Sequence, residues 1–239
     1  MASNRSRLDR FLSSQTNTPR KAVRALLTQN RVTVDGKTAN DRDQLIDDFS
    51  HITLDGEVLQ ANHARYVMMN KPKGVVSATT DAHHTTAIDL LAPQEQTGLH
   101  IVGRLDFHST GLLLMTNDSR WSSRLMTPEQ KVSKRYRVKL AQPICEDTAQ
   151  GFAEGLYFSY EGITTRPAGL TLLSEQEAEV TLTEGRYHQI KRMFARFNNK
   201  VEELHRVAIG NLELDSDLKP GDYRALTADE VTSIFDNRL

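Results

Sequence analysis

The sequence predicts an α+β protein in two parts: a small front domain over residues 1–59, a polar linker at 60–65 and a larger domain over 66–239. Three observations predict it. A chain of 239 residues is long enough for a small and a medium domain, each burying its own core. Its front concentrates positive charge and closes on two strand-and-turn patterns that end near Leu59. Beyond residue 65, helices are interspersed among many short strands without the regular alternation of a parallel α/β fold, which points to a mixed, mainly antiparallel sheet.

Hydrophobic residues make up 38% and charged residues 26%, ordinary for a globular protein and unlike a disordered or fibrous chain. No apolar run approaches the length of a membrane helix, and residues 1–10 lack the apolar core of a secretory signal. A cytoplasmic protein with no membrane partner is therefore expected, with a monomer as the default state. Cys145 is the single cysteine and is expected as inert packing. No Cys or His spacing matches a zinc site, so no metal is expected. The formal net charge of −1 conceals an asymmetry. Residues 1–42 hold nine basic side chains against Asp9, Asp35 and Asp41, hence +6, which leaves −7 for the rest. A compact basic end is the electrostatic footprint of a polyanion-binding module; an evenly solvated charged face is the alternative.

Leu8, Phe11 and Leu12 recur at helical spacing and predict a short first helix, with Arg7 and Arg10 beside its apolar stripe. A second helix is expected after Thr18, its candidate cap, with Pro19 in the first turn, where no backbone donor is needed. Its wheel gathers Ala22, Val23, Leu26 and Leu27 on one side and Arg20, Lys21 and Arg24 on the other. Residues 31–37 read as a strand entering an Asp35-Gly36 turn, and residues 52–58 repeat the pattern around Asp55-Gly56. Helix, basic helix, then strand and tight turn resemble, over residues 5–50, the S-four-type RNA-binding domain found on many RNA-modifying enzymes. That resemblance implies that Arg7, Arg20, Lys21, Arg24, Arg31 and Lys37 bind the RNA backbone.

After the linker, residues 66–69 read as a strand stopped by the Pro72 and Gly74 turn. Further strands are predicted at 75–77, 136–140, 179–182, 204–209 and 222–225. Helices are predicted at 86–91, 119–126, 146–155, 188–197 and 228–235, with Asp118 capping the second of these. On the helix at 188–197, Ile190, Met193, Phe194 and Phe197 form an apolar stripe opposite His188, Lys191, Arg192 and Arg196. His83 and His84 beside Asp81 lack a partner pair at ligand spacing and read as a solvated loop.

Residues 100–118 carry the most information. An apolar lead-in, a polar loop between Gly103 and Gly111 and the run Leu112-Leu113-Leu114 place Arg104 and Asp106 on an irregular segment between two buried ones, where functional groups are commonly presented. Local chemistry alone reads Asp106 as a turn-forming aspartate. Gly103-Arg104-Leu105-Asp106, followed by Ser109-Thr110-Gly111-Leu112, resembles the signature loop of pseudouridine synthases of the RsuA type, bacterial enzymes that modify ribosomal RNA. Lys134-Arg135-Tyr136, the run from Glu184 to Phe194, and Asn70-Lys71-Pro72-Lys73-Gly74 match the same family in the same order. Together with the front domain, the likeness covers nearly the whole chain.

The resemblance implies the chemistry: one uridine, uridine 516 of 16S rRNA in the free RNA or a small-subunit assembly intermediate, is isomerised to pseudouridine without a cofactor. Uracil is detached from its ribose and rejoined through carbon 5, which a carboxylate suits as nucleophile or base. By the family's motif Asp106 takes that role, Tyr136 is the active-site tyrosine that stacks on the flipped base, and Lys191 is the cation that opposes desolvation of the carboxylate. Arg192 is the alternative cation and, with Arg104 and Leu204, a candidate for substrate contact; Arg186 and His188 are candidates for contact with the RNA. From the residues alone, Tyr136 and Leu204 also read as plain core. A large-subunit rRNA synthase of the same fold and a non-catalytic ribosome-assembly factor are the alternative functions.

Overall fold

The computed structural model describes residues 5–236. The chain divides into two compact units, Met1–Ala64 and Arg65–Leu239. The first runs β1 (Ser6–Arg7), α1 (Leu8–Gln15), α2 (Arg20–Thr28), β2 (Val32–Val34), β3 (Lys37–Thr38), β4 (Leu45–Ile46), β5 (Ile52–Leu54) and β6 (Glu57–Gln60). Its core joins Leu8 and Leu12 of α1, Val23 and Leu27 of α2, and Val32, Val34 and Ile52 of the sheet β3-β2-β5-β6. Both Asp-Gly turns place two successive residues in the left-handed region, Asp35 and Gly36 at φ 51° and 75°, Asp55 and Gly56 at 52° and 84°. That is the turn whose twist suits a two-residue hairpin.

Two details differ from the sequence reading. Thr18 does not cap α2: its hydroxyl donates to the Thr16 carbonyl at 3.3 Å, while Pro19 holds the cap position and its carbonyl accepts from Ala22 and Val23. Residues 60–65 are shared between the units. Gln60 ends β6 and donates from its side chain to the carbonyls of Asp47 and Ser50, whereas the Arg65 amide donates to Asn117 Oδ1 in the second unit.

The second unit is built on β7 (Tyr66–Lys71), β8 (His100–Val102), β9 (Thr110–Thr116), α3 (Ser119–Met126), β10 (Lys134–Leu140), α4 (Asp147–Glu154), β11 (Tyr157–Phe158), β12 (Ile163–Thr164), β13 (Gly169–Leu172), β14 (Glu177–Leu182), α5 (Gln189–Ala195), β15 (Val201–Ile209), β16 (Leu212–Glu213), β17 (Tyr223–Ala225) and α6 (Ala228–Ser233). The main sheet orders β13-β14-β10-β15-β9-β7-β17, with β8 on β9 and β16 on β15. Every pairing is antiparallel except β15 with β9. The fold is α+β around a mixed, mainly antiparallel sheet. β9 is buried on both faces: Leu113 and Met115 enter the core that holds Tyr136, Ile190, Met193 and Phe194, while Leu112 and Leu114 enter the one that holds Trp121, Leu125 and Ile209. An uninterrupted Leu112-Leu113-Leu114-Met115 run is what a strand covered on both sides requires.

Asp118 caps α3 by accepting from the amides of Arg120 and Trp121. The strand expected at 75–77 is one bridge between Val76 and Thr86, and the helix expected at 86–91 is a single 3-10 turn, Ile88–Leu90. Thr86 and Asp89 bond reciprocally to each other's amides and start that turn; Ala92, extended ahead of Pro93, closes off its continuation. Cys145 is exposed, not packed in a core, with its Sγ 2.9 Å from Thr148 Oγ1. No helix among the described residues is long and apolar enough to cross a membrane.

Candidate active site

The loop from Gly103 to Ser109 leaves β8 and enters β9, and buried side chains tie its backbone at both ends. Lys71, wholly buried at the end of β7, donates from Nζ to the carbonyls of Asp106 (3.2 Å), Ser109 (2.8 Å) and Pro72 (3.0 Å). Ser77 Oγ accepts from the Leu105 amide and donates to the Leu105 carbonyl, and the Gly74 amide donates to the Phe107 carbonyl. Arg206, 1% exposed, spans the stems: Nε donates to the Leu112 carbonyl and Nη2 to the Gly103 carbonyl, each at 2.7 Å. The parallel pairing that sets Arg206 opposite Gly111 makes this reach possible. Gly111 sits at φ +101°, and a Cβ there would lie 2.3 Å from the Arg206 carbonyl oxygen, so only glycine fits the crossing.

The half-buried Asp106 carboxylate meets two groups from the start of α5. Lys191 Nζ donates to Oδ2 at 2.9 Å, and His188 Nε2 stands 3.4 Å from the same oxygen. His188 is the residue ahead of α5 and adopts φ 49°, a left-handed conformation that a non-glycine residue takes at some cost. Buried Gln189 pins the segment, donating to Glu184 Oε1 at 2.8 Å and accepting from the Arg186 amide at 3.1 Å. A cavity of about 380 Å³ opens over Asp106, and Arg104, Tyr136, Arg186, His188 and Leu204 line it with Asp106. Tyr136 lies on the inward face of β10 with its hydroxyl 3.5 Å from Arg206 Nη1. A carboxylate facing a cavity of nucleotide size, with an ammonium on one oxygen and an aromatic wall, suits nucleophilic or basic attack on a bound ring.

Arg192 stands apart from the cavity. One position beyond Lys191 on the helix, it turns away and pairs with Glu161 at 2.5 and 2.6 Å, its guanidinium 3.8 Å over the Phe158 ring. In the first unit, Arg7 is bound by Asp9 and Asp43 and Arg31 by Asp55, so each faces a carboxylate of its own chain. Arg20, Lys21, Arg24 and Lys37 are exposed and, among the described residues, in no ion pair. The sequence reading left Lys71, Lys134 and Arg206 without a role. Lys134 carried a usable signal, since Lys134, Tyr136, Val138 and Leu140 share the buried face of β10. Burial pushes the amines of both Lys71 and Lys134 down to about 8; the Asp106 charge opposes this at Lys71, and Arg206 reinforces it at both.

Residues 65–196 match the family model for RNA pseudouridylate synthase. The chain is 44% identical over 229 residues to ribosomal small subunit pseudouridine synthase A of Pseudomonas aeruginosa, covering 95% of this chain and 100% of that protein. It is 42% identical to the protein of the same name from Escherichia coli K12, covering 95% and 99%. A solved pseudouridylate synthase superposes with a TM-score of 0.70 at 35% identity, covering 95% of this chain and 99% of the other.

Proposed function

The chain belongs to the RNA pseudouridylate synthase family, and from that premise we propose that it isomerises uridine 516 of 16S rRNA with Asp106 as the nucleophile. Similarity along 95% of the chain to relatives named for the small ribosomal subunit supports rRNA as the substrate and 16S rRNA as the target. One observation carries the assignment of Asp106: its carboxylate faces the cavity, and its charge is met by Lys191 at 2.9 Å.

In this reading Asp106 acts on the sugar or the ring of a flipped uridine, and Lys191 holds the carboxylate in place and compensates its charge. Tyr136 and Leu204 form the wall against which the base stacks. Arg104, Arg186 and His188, at the same cavity, meet the displaced strand, and His188 also steadies Asp106 Oδ2. Arg192 serves the fold by bracing residue 161 and takes no part in substrate contact. The first unit is an S-four-type RNA-binding domain in which Arg20, Lys21, Arg24 and Lys37 meet phosphate. Arg7 and Arg31, already paired, contribute less.

The test is to map pseudouridines by carbodiimide and primer extension in cells lacking the protein, then in the same cells supplied with wild-type protein or Asp106→Asn. Loss of the modification at position 516, restored by the wild type alone, is expected. A modification at 516 that persists without the protein, or a loss confined to 23S rRNA, contradicts the assignment.

A further inference from the structure

Lys134 is a buried cation with almost nothing to hold it. It is 8% exposed, and its one hydrogen-bond partner among the described residues is the Val132 carbonyl at 3.4 Å, near the limit for such a bond. An ammonium has three donors. Lys71, wholly buried at the end of β7 in the same sheet, uses its three on three carbonyls. Among the described residues no carboxylate pairs with Lys134; the charged group felt most nearby is Arg206, also a cation. A buried charge without a partner is costly. Lys134 nevertheless lines the cavity that holds Asp106, on the same face of β10 as Tyr136. The negative charge at Asp106 is already met by Lys191, so the resting carboxylate leaves Lys134, a buried cation of the same cavity, uncommitted.

We propose that the Lys134 ammonium is a catalytic group that contacts a carbonyl oxygen of the target uracil and carries the negative charge the ring acquires during isomerisation. The proposal rests on the functional reading above. When the bond between C1′ and N1 opens, its electron pair stays with uracil and spreads over N1 and the two ring oxygens. If a nucleophile instead adds at C6, the charge gathers on O4. Either opening places an anion in the cavity that the substrate did not carry, and a pre-positioned donor acts on the difference. The new bond then forms between C1′ and C5, the C5 hydrogen leaves as a proton and N1 gains one, so composition is unchanged. The arrangement divides the cations: Lys191 serves the enzyme's carboxylate, Lys134 the substrate's developing charge.

The experiment is single-turnover pseudouridine formation on a 16S rRNA fragment, with RNA affinity and thermal midpoint measured on the same proteins: wild type, Asp106→Asn, Lys134→Met and Lys134→Arg. Lys134→Met is expected to slow the chemical step by about 100-fold or more, to leave the RNA Kd within about threefold, and to keep or raise the thermal midpoint, because an apolar chain of similar length replaces an unpaired buried charge. Lys134→Arg, which returns the charge, is expected to recover at least about tenfold of that loss. A Met variant that turns over at the wild-type rate overturns the proposal, as does a rate loss matched by an equal loss of affinity. Should the Met variant fail to fold, Lys134→Gln in the same assay decides by the same criteria. Absence of pseudouridine with the wild type overturns the functional reading itself, which separates that failure from a failure of Lys134 alone.

Discussion

Arg206 and Lys134 are buried cations on adjacent strands, and their bonding predicts opposite responses to removal. Arg206 donates to two carbonyls at 2.7 Å that have little chance of another donor inside the sheet. Arg206→Met leaves both unsatisfied, and a loss of about 2–4 kcal/mol is expected, read from urea unfolding. Pseudouridine formation falls with it, because the Asp106 loop loses the tie between its stems. Lys134 has one bond at 3.4 Å, so its replacement by Met removes a burden. The pH dependence follows from the same burial. With the folded-state amine lowered to about 8 from 10.5, the unfolded chain binds a proton between those values that the folded chain has released, so stability rises with pH across that window. The stabilisation of Lys134→Met over wild type is therefore expected to be largest below pH 8 and to shrink toward pH 10.5, as measured by chemical unfolding at each pH. Gly111→Ala is expected to cost roughly 3 kcal/mol, because the new Cβ meets the Arg206 carbonyl and the left-handed backbone disfavours alanine. An unchanged urea midpoint would show that the crossing of β9 and β15 is looser than described.

At the scale of elements, residues that alternate or recur on one face were legible and residues fixed by distant partners were not. α3 matches the expected 119–126, and the apolar stripe of α5 is buried through Ile190, Met193 and Phe194. The parallel contact of β15 with β9 joins residues nearly a hundred positions apart, and no periodicity announces it. Arg206 and Lys71 therefore read as a residue within a strand and part of a turn, although both tie the backbone of the Asp106 loop or its stems. The 75–77 strand failed for the complementary reason: its composition suits a strand, but only Val76 finds a partner. Asp106 itself was legible only through its motif, since a turn aspartate looks the same locally. α2 offers the sharpest test at this scale. Val23 and Leu27 are buried while Arg20, Lys21 and Arg24 are exposed, so reversing charge on the outer face should leave the helix folded. Arg20→Glu with Arg24→Glu is expected to weaken RNA binding and flatten its dependence on salt, by roughly one unit of slope per lost phosphate contact. An unchanged slope in filter binding would remove the first unit from RNA recognition.

Across the whole molecule, the excess of +6 in residues 1–42 does not describe the unit those residues belong to. Asp43, Asp47, Asp48, Asp55 and Glu57 follow before Ala64, so the first unit carries nine basic against eight acidic side chains, a net of +1. Its positive character is a matter of placement: Asp43 and Asp55 face Arg7 and Arg31, which leaves the cations of α2 and Lys37 toward solvent. The second unit is net negative yet sets Lys191 on the Asp106 carboxylate, Lys71 on the backbone of its loop, and Lys134 and Arg206 in the wall of the same cavity, so charge there is organised by burial and not by total. The most direct measurement is pseudouridine formation by the purified protein on 16S rRNA and on 23S rRNA, with Asp106→Asn as the paired control. Modification of 16S rRNA at position 516 by the wild type, with none from Asp106→Asn, is the predicted result. Equal modification by both proteins, or modification of 23S rRNA alone, would contradict it.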